Sequence, residues 1–139
     1  DLEAERRNGD FMRELIESGR VTACHDLSDG GLLVALAEMA MAGNIGAALA
    51  QPDATGAALP GWLFGEDQAR YVVTVRDAEA DAVLTSAAAA DVPARPIGKT
   101  GGDALTLADG PAISVARMKT AHEAWLPAYM ASEARRQED

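Results

Sequence analysis

Val21-Thr22-Ala23-Cys24-His25-Asp26-Leu27-Ser28-Asp29-Gly30-Gly31-Leu32 is the stretch that decides the fold. Residues 21–25 read as a short buried strand, and the apolar run from Leu32 reads as a long helix ending at Gly43. Between them lies a tight turn that holds two aspartates, a serine and two glycines. Carboxylates, a hydroxyl and unpaired backbone N–H groups therefore meet where a strand ends and a helix begins. Such a terminus attracts anions, and aspartates placed there can hold the divalent cation that accompanies phosphates. Ser28 or Asp29 also suits an N-cap, and the glycines also suit a tight turn or close packing. A cap needs one acceptor, whereas this turn offers Asp26, Ser28 and Asp29 together.

Working outward, residues 2–18 read as a helix with Phe11, Leu15 and Ile16 on its inner side, closed by Gly19. The central helix should span 29–42 and end in a left-handed Gly43-Asn44 terminator. A strand over 45–50, a loop over 51–61 and a helical turn over 62–64 follow. Tyr71-Val72-Val73-Thr74-Val75 is the strongest strand signal, nearly continuous and β-branched, which predicts a central position in its sheet. Asp77 should cap a helix over 78–90, and 93–97 should be extended. A hairpin-like turn at Asp109-Gly110-Pro111 should join strands over 105–108 and 113–116. Thr120-Ala121-His122-Glu123 fits a capping box, with Pro127 kinking or restarting that helix and 132–139 fraying. Trp125, Leu126, Tyr129 and Met130 recur at helical spacing and read as core or as an interdomain contact. The expectation is one α+β (layered α/β) domain over 1–139, a mixed sheet packed with helices.

Composition narrows the function. A net charge of −10 argues against a nucleic-acid surface, and no apolar run approaches the length of a membrane span. The lone Cys24 cannot form an internal disulfide and suits a reducing cytoplasm. Because the chain opens at Asp1, without methionine, it is expected to be a piece of something longer. The acidity also means that any phosphate bound here needs a magnesium ion or basic groups from elsewhere.

A second constellation, Glu66-Asp67-Gln68, precedes the strand at Tyr71. If that strand neighbours the one before Asp26, carboxylates from both motifs and an amide meet in one crevice. Clustered carboxylates repel unless a cation relieves them, so Mg²⁺ is a natural resolution. Gln68 can donate and accept, which suits a ribose hydroxyl or a phosphate oxygen. A plainer alternative pairs Asp67 or Glu66 with Arg70 as surface charges. Lys99 lies among glycines without P-loop spacing and reads as a solvent lysine.

Four ordered segments carry a resemblance: His25 to Leu32 with Ala37-Glu38-Met39-Ala40, then Leu63-Phe64-Gly65-Glu66-Asp67-Gln68-Ala69-Arg70-Tyr71, then Pro96-Ile97-Gly98-Lys99-Thr100-Gly101-Gly102, then Ala121-His122-Glu123-Ala124-Trp125-Leu126-Pro127. Together they resemble the C-terminal portion of the large subunit of phosphoribosylformylglycinamidine synthase, across nearly the whole chain. The resemblance implies a C-terminal domain of the AIR-synthase type, the second of two such copies in the subunit. It implies part of an ATP-dependent carbon–nitrogen ligase of purine biosynthesis, located in the cytoplasm, with ATP/ADP and Mg²⁺ as cofactors.

By position in the resemblance, Asp26 is the metal-facing residue. Ser28, Asp29, Gly30, Gly31, Glu66, Asp67 and Gln68 are the nucleotide- or substrate-facing ones. No catalytic residue is expected in this chain, because the family's catalytic histidine belongs to an N-terminal-type domain. The implied partners are those N-terminal-type domains, a glutaminase subunit and a small bridging subunit. The departures at Ser28-Asp29 and Asp67 from the first copy's pattern point to the related, non-catalytic nucleotide site. Two alternatives stand beside this: a purely structural interface domain, and a domain of another ATP-using enzyme of the same superfamily.

Overall fold

A computed structural model describes residues 1–50, 58–108 and 110–136. The order is helix α1 (Leu2–Glu17), strand β1 (Ala23–Asp26), α2 (Gly31–Gly43), β2 (Ala47–Leu49), α3 (Ala58–Phe64), β3 (Tyr71–Thr74), a 3-10 turn (Asp77–Glu79), α4 (Ala80–Ala89), β4 (Gly98–Thr100), β5 (Ala104–Leu107), β6 (Ile113–Ser114) and α5 (Val115–Arg136). Helices pack with two small sheets. β1 and β3 form an antiparallel pair, and a mixed sheet runs β4-β2-β5-β6, with β2 parallel to β5 and its other pairings antiparallel. The expected α+β architecture with mixed pairing is what forms.

The β1–β3 pair separates two apolar clusters. Val72 packs with Leu27, Leu32, Ala35, Leu36 and Leu49, while Cys24 and Val73 lie against Phe11, Met12, Leu15, Val83 and Ala87. Alternate side chains of a strand point to opposite faces, so one strand feeds both clusters. This corrects the expectation that Tyr71–Thr74 is a central strand: among the described residues it pairs only with β1. Its continuous apolar character arises because both of its faces are covered, which leaves its edges unconstrained.

Helix ends explain several boundaries. Asp1 caps α1 through its carboxylate, 3.0 Å from the Glu3 amide. At the other end Gly19 adopts φ +67°, and the Arg20 and Gly19 amides reach back to the carbonyls of Leu15 and Ile16, each at 3.0 Å. That is a Schellman closure. On α1 it is Met12 that joins Phe11 and Leu15 inside, whereas Ile16 is 52% exposed. Asn44, with φ 49°, ends α2 as expected.

Several other expectations are corrected. Asp77 does not cap α4 through its side chain; its carboxylate pairs at 3.3 Å with Lys99, which is exposed on β4. The last helix does not start at the Thr120 box, because the Ser114 hydroxyl already accepts from the Arg117 amide at 3.2 Å, six residues earlier. That helix runs through Pro127 to Arg136, so 132–136 are helical, and 137–139 of the expected frayed tail lie outside the described residues. Of the expected loop at 51–61, residues 51–57 lie outside the described residues, as does Asp109 in the expected hairpin turn, and 58–61 belong to α3.

Candidate functional site: an acidic crevice at the end of the β1–β3 pair

The register places Asp26 opposite Tyr71, so the end of β1 and the start of β3 coincide. The aspartate-rich turn and the Glu66-Asp67-Gln68 loop therefore approach each other. Their junction is a crevice of about 310 Å³ whose lining includes Asp26, Ser28, Asp29, Glu66 and Gln68. Both motifs are exposed to solvent, and Asp26 keeps 65% of its side chain exposed.

Backbone chemistry fastens the two motifs together. The Leu27 amide donates to the Arg70 carbonyl at 2.9 Å, and the Gly31 amide to the Ser28 carbonyl at 3.0 Å. Gly30 is the N-cap of α2, with φ +82° and no side-chain cap, which sets aside Ser28 and Asp29 as capping residues. The Gly30 amide instead donates to Glu66 Oε1 at 2.8 Å, across 36 positions of sequence. Gly31 has φ +67°, and a Cβ there would lie 2.6 Å from the Phe64 carbonyl carbon. Only glycine fits a backbone that close to another in a left-handed conformation.

Arg70 holds the second motif in shape. Its guanidinium donates to the carbonyls of Gly65 at 3.1 Å and Trp62 at 3.2 Å, at the C-terminal end of α3, where a cation is favoured. It also pairs with Asp67 at 3.3 Å, so Asp67 turns toward Arg70 and does not line the crevice. Ala69 carries φ 58°, unusual for a residue with a side chain, and its carbonyl accepts from Asn8 Nδ2 at 3.2 Å. That bond from α1 holds the bend between Gln68 and Arg70.

His25 is bound rather than free for chemistry. Its Nε2 lies 3.0 Å from Glu38 Oε2 on α2, and its Nδ1 lies 2.6 Å from the Asp26 carbonyl oxygen. The imidazole thus ties β1 to α2 beside the crevice. On the same strand, burial pushes the Cys24 thiol pKa up, and the Asp26 carboxylate adds to the effect.

The crevice gathers Asp26, Ser28, Asp29, Glu66 and Gln68, while Gly30, Gly31 and Asp67 are not part of its lining, Gly30 bonding to Glu66 and Asp67 pairing with Arg70. Glu5 and Arg70 also line it, and neither was singled out for this role from sequence. Glu5 lies on α1, far along the chain, and no local pattern marks it. Among the described residues, no group of three or more His, Cys, Asp or Glu side chains is arranged to hold a metal. Magnesium usually keeps several waters and takes one or two carboxylates together with substrate phosphates, so a single carboxylate such as Asp26 fits that habit.

Comparison with known proteins gives the family of the chain. Residues 1–109 match the family described as AIR synthase related protein, C-terminal domain, and the chain belongs to that family. Among curated relatives, phosphoribosylformylglycinamidine synthase subunit PurL of Parvibaculum lavamentivorans is 59% identical over 134 residues, spanning 96% of this chain and 18% of that protein. The subunit of the same name from Rhodospirillum rubrum is 58% identical, spanning 94% and 17%. The chain thus spans less than a fifth of the length of these relatives. Solved structures of the same fold include PurLQS from Thermotoga maritima, with a TM-score of 0.73, 22% identity and coverage of 86% of this chain and 22% of that one. Another is Thermotoga maritima PurL complexed with ATP, with a TM-score of 0.69, 21% identity and coverage of 81% and 21%.

Proposed function

We propose that this chain serves as a C-terminal-type domain of a phosphoribosylformylglycinamidine synthase, where it forms one wall of a nucleotide–Mg²⁺ site. The observation that carries the reading is the convergence of Asp26, Ser28, Asp29, Glu66 and Gln68 on one crevice, from two motifs about forty positions apart. The reaction uses ATP to activate the amide oxygen of formylglycinamide ribonucleotide; ammonia attacks the carbon and phosphate leaves, giving the amidine. A magnesium ion held here would screen the charge of the bound nucleotide's phosphates. Asp26 would supply one oxygen to that ion. Gln68 and Ser28 offer neutral donors and acceptors to hydroxyl or phosphate oxygens. Gly30, Gly31 and Asp67 fix the two loops that present these groups.

The chain's own charge sets a division of labour. At −10 overall, it cannot attract a nucleotide by its general field, so the remaining cationic groups come from N-terminal-type domains of a longer subunit. Exposed apolar residues on α5 support packing within a larger body: Trp125 is 65% exposed, and its ring stacks on Tyr129 at 5.4 Å between centroids. A glutaminase subunit and a small bridging subunit complete the assembly, in the cytoplasm. In this reading the nucleotide held is that of the related, non-catalytic site.

The test is a titration of Mg–ATP into the whole subunit by calorimetry, comparing wild type with Asp26→Asn. The expected outcome is weaker nucleotide affinity at one site with an unchanged melting temperature. Unchanged affinity at every site would sink the reading.

A further inference from the structure

The start of α2 is the natural place for a bound phosphate in this layout, yet the chain's own anion already stands there. Glu66 Oε1 accepts from the Gly30 amide at 2.8 Å, at the position of the first free N–H of the helix. A carboxylate at a helix N-terminus is favoured for the same reason a phosphate is: aligned peptide dipoles and unpaired amides. The next amide, Gly31, is already given to the Ser28 carbonyl.

We infer that Glu66 is a positioning residue: it acts as a built-in anion that seals the α2 terminus against phosphate and locks the two motifs into one body. The crevice then receives its ligand through Asp26, Ser28 and Gln68, and not through the helix amides. Two features make the lock specific. It spans the two motifs directly, from the turn after β1 to the loop before β3. It also sits opposite Arg70, which straps the same loop to α3 through the Gly65 and Trp62 carbonyls. Pulling Glu66 away releases the front of that loop while its rear stays fastened, so Gln68 loses its fixed distance to Asp26. The lock itself stands on geometry alone; its bearing on the nucleotide rests on the reading above.

The experiment uses the 139-residue chain and inorganic phosphate, without nucleotide, so its failure is distinguishable from failure of the ATP titration. Amide exchange and NMR shifts of Gly30 and Gly31 are followed in wild type, Glu66→Ala and Glu66→Gln. Wild type should show a protected Gly30 amide that does not shift with phosphate. In Glu66→Ala, Gly30 exchange should rise by about tenfold, the scale of one lost charged hydrogen bond, and the Gly30 amide should then titrate with phosphate. Glu66→Gln keeps an acceptor oxygen in place and should restore protection. A wild-type Gly30 amide that already titrates with phosphate overturns the inference. So does a folded Glu66→Ala chain with unchanged Gly30 exchange. Should Glu66→Ala not fold, the glutamine variant decides: a protected, phosphate-silent Gly30 supports the lock, and an unprotected Gly30 in a folded chain refutes it.

Discussion

Gly31 is the residue on which the two motifs turn. A methyl group there meets the Phe64 backbone at 2.6 Å while the residue holds φ +67°. Placing a side chain in the left-handed region costs about 1–2 kcal/mol before any clash is counted. Gly31→Ala is therefore expected to lower unfolding stability by more than about 2 kcal/mol, measured by urea denaturation, because strain and backbone collision add. A loss of only a few tenths would mean that the loops part easily. Cys24 gives a prediction in pH. Its thiol holds its proton more tightly folded than unfolded, because it is buried and faces the Asp26 carboxylate. The stability this contributes is complete below the unfolded thiol's pKa and is lost as pH rises through the folded one. As pH rises above the ordinary thiol value of about 8.5, wild type should lose stability that Cys24→Ser retains. Since the thiolate is the reactive form, alkylation of Cys24 near pH 8 should also be slower than that of a free cysteine.

Among the elements, the β1–β3 pair and α5 differ most in how they are held. The pair lies between two apolar clusters and is joined at its end by the crevice motifs. From Lys119 to Ala131, by contrast, α5 is exposed on every side. What anchors α5 is its first turn, where Val115 is buried and Ser114 caps the Arg117 amide. Ser114→Ala should cost about 0.5–2 kcal/mol and reduce helicity in circular dichroism, the usual scale for a lost N-cap. Thr120→Ala, in the segment that resembles a capping box, should change neither, since Thr120 lies within the helix.

At the scale of the molecule, the domain has a core but only part of a site. Its two apolar clusters form that core, while its acidity and the exposed apolar residues of α5 suit a component of something larger. The isolated chain is expected to fold and to form no amidine when given formylglycinamide ribonucleotide, ATP and ammonia. Product formation by these residues alone, followed by chromatography, would contradict that.

The sequence by itself determined what depends on near neighbours. The turn at Asp26 to Gly31, the Gly19 and Asn44 terminators and the β-branched strand at Tyr71 follow from local propensity and periodicity. The motif types likewise made a shared acidic crevice conceivable. Tertiary structure alone decided which strands pair, that Glu66 rather than Ser28 or Asp29 meets the α2 terminus, that Asp67 turns to Arg70, and that Glu5 joins the crevice. An N-terminal amide accepts any carboxylate brought to it, and Arg70 accepts any suitably placed acid. Which one arrives depends on how distant segments pack. Local pattern carries no record of that distance, so the partners became visible only when β1 lay beside β3.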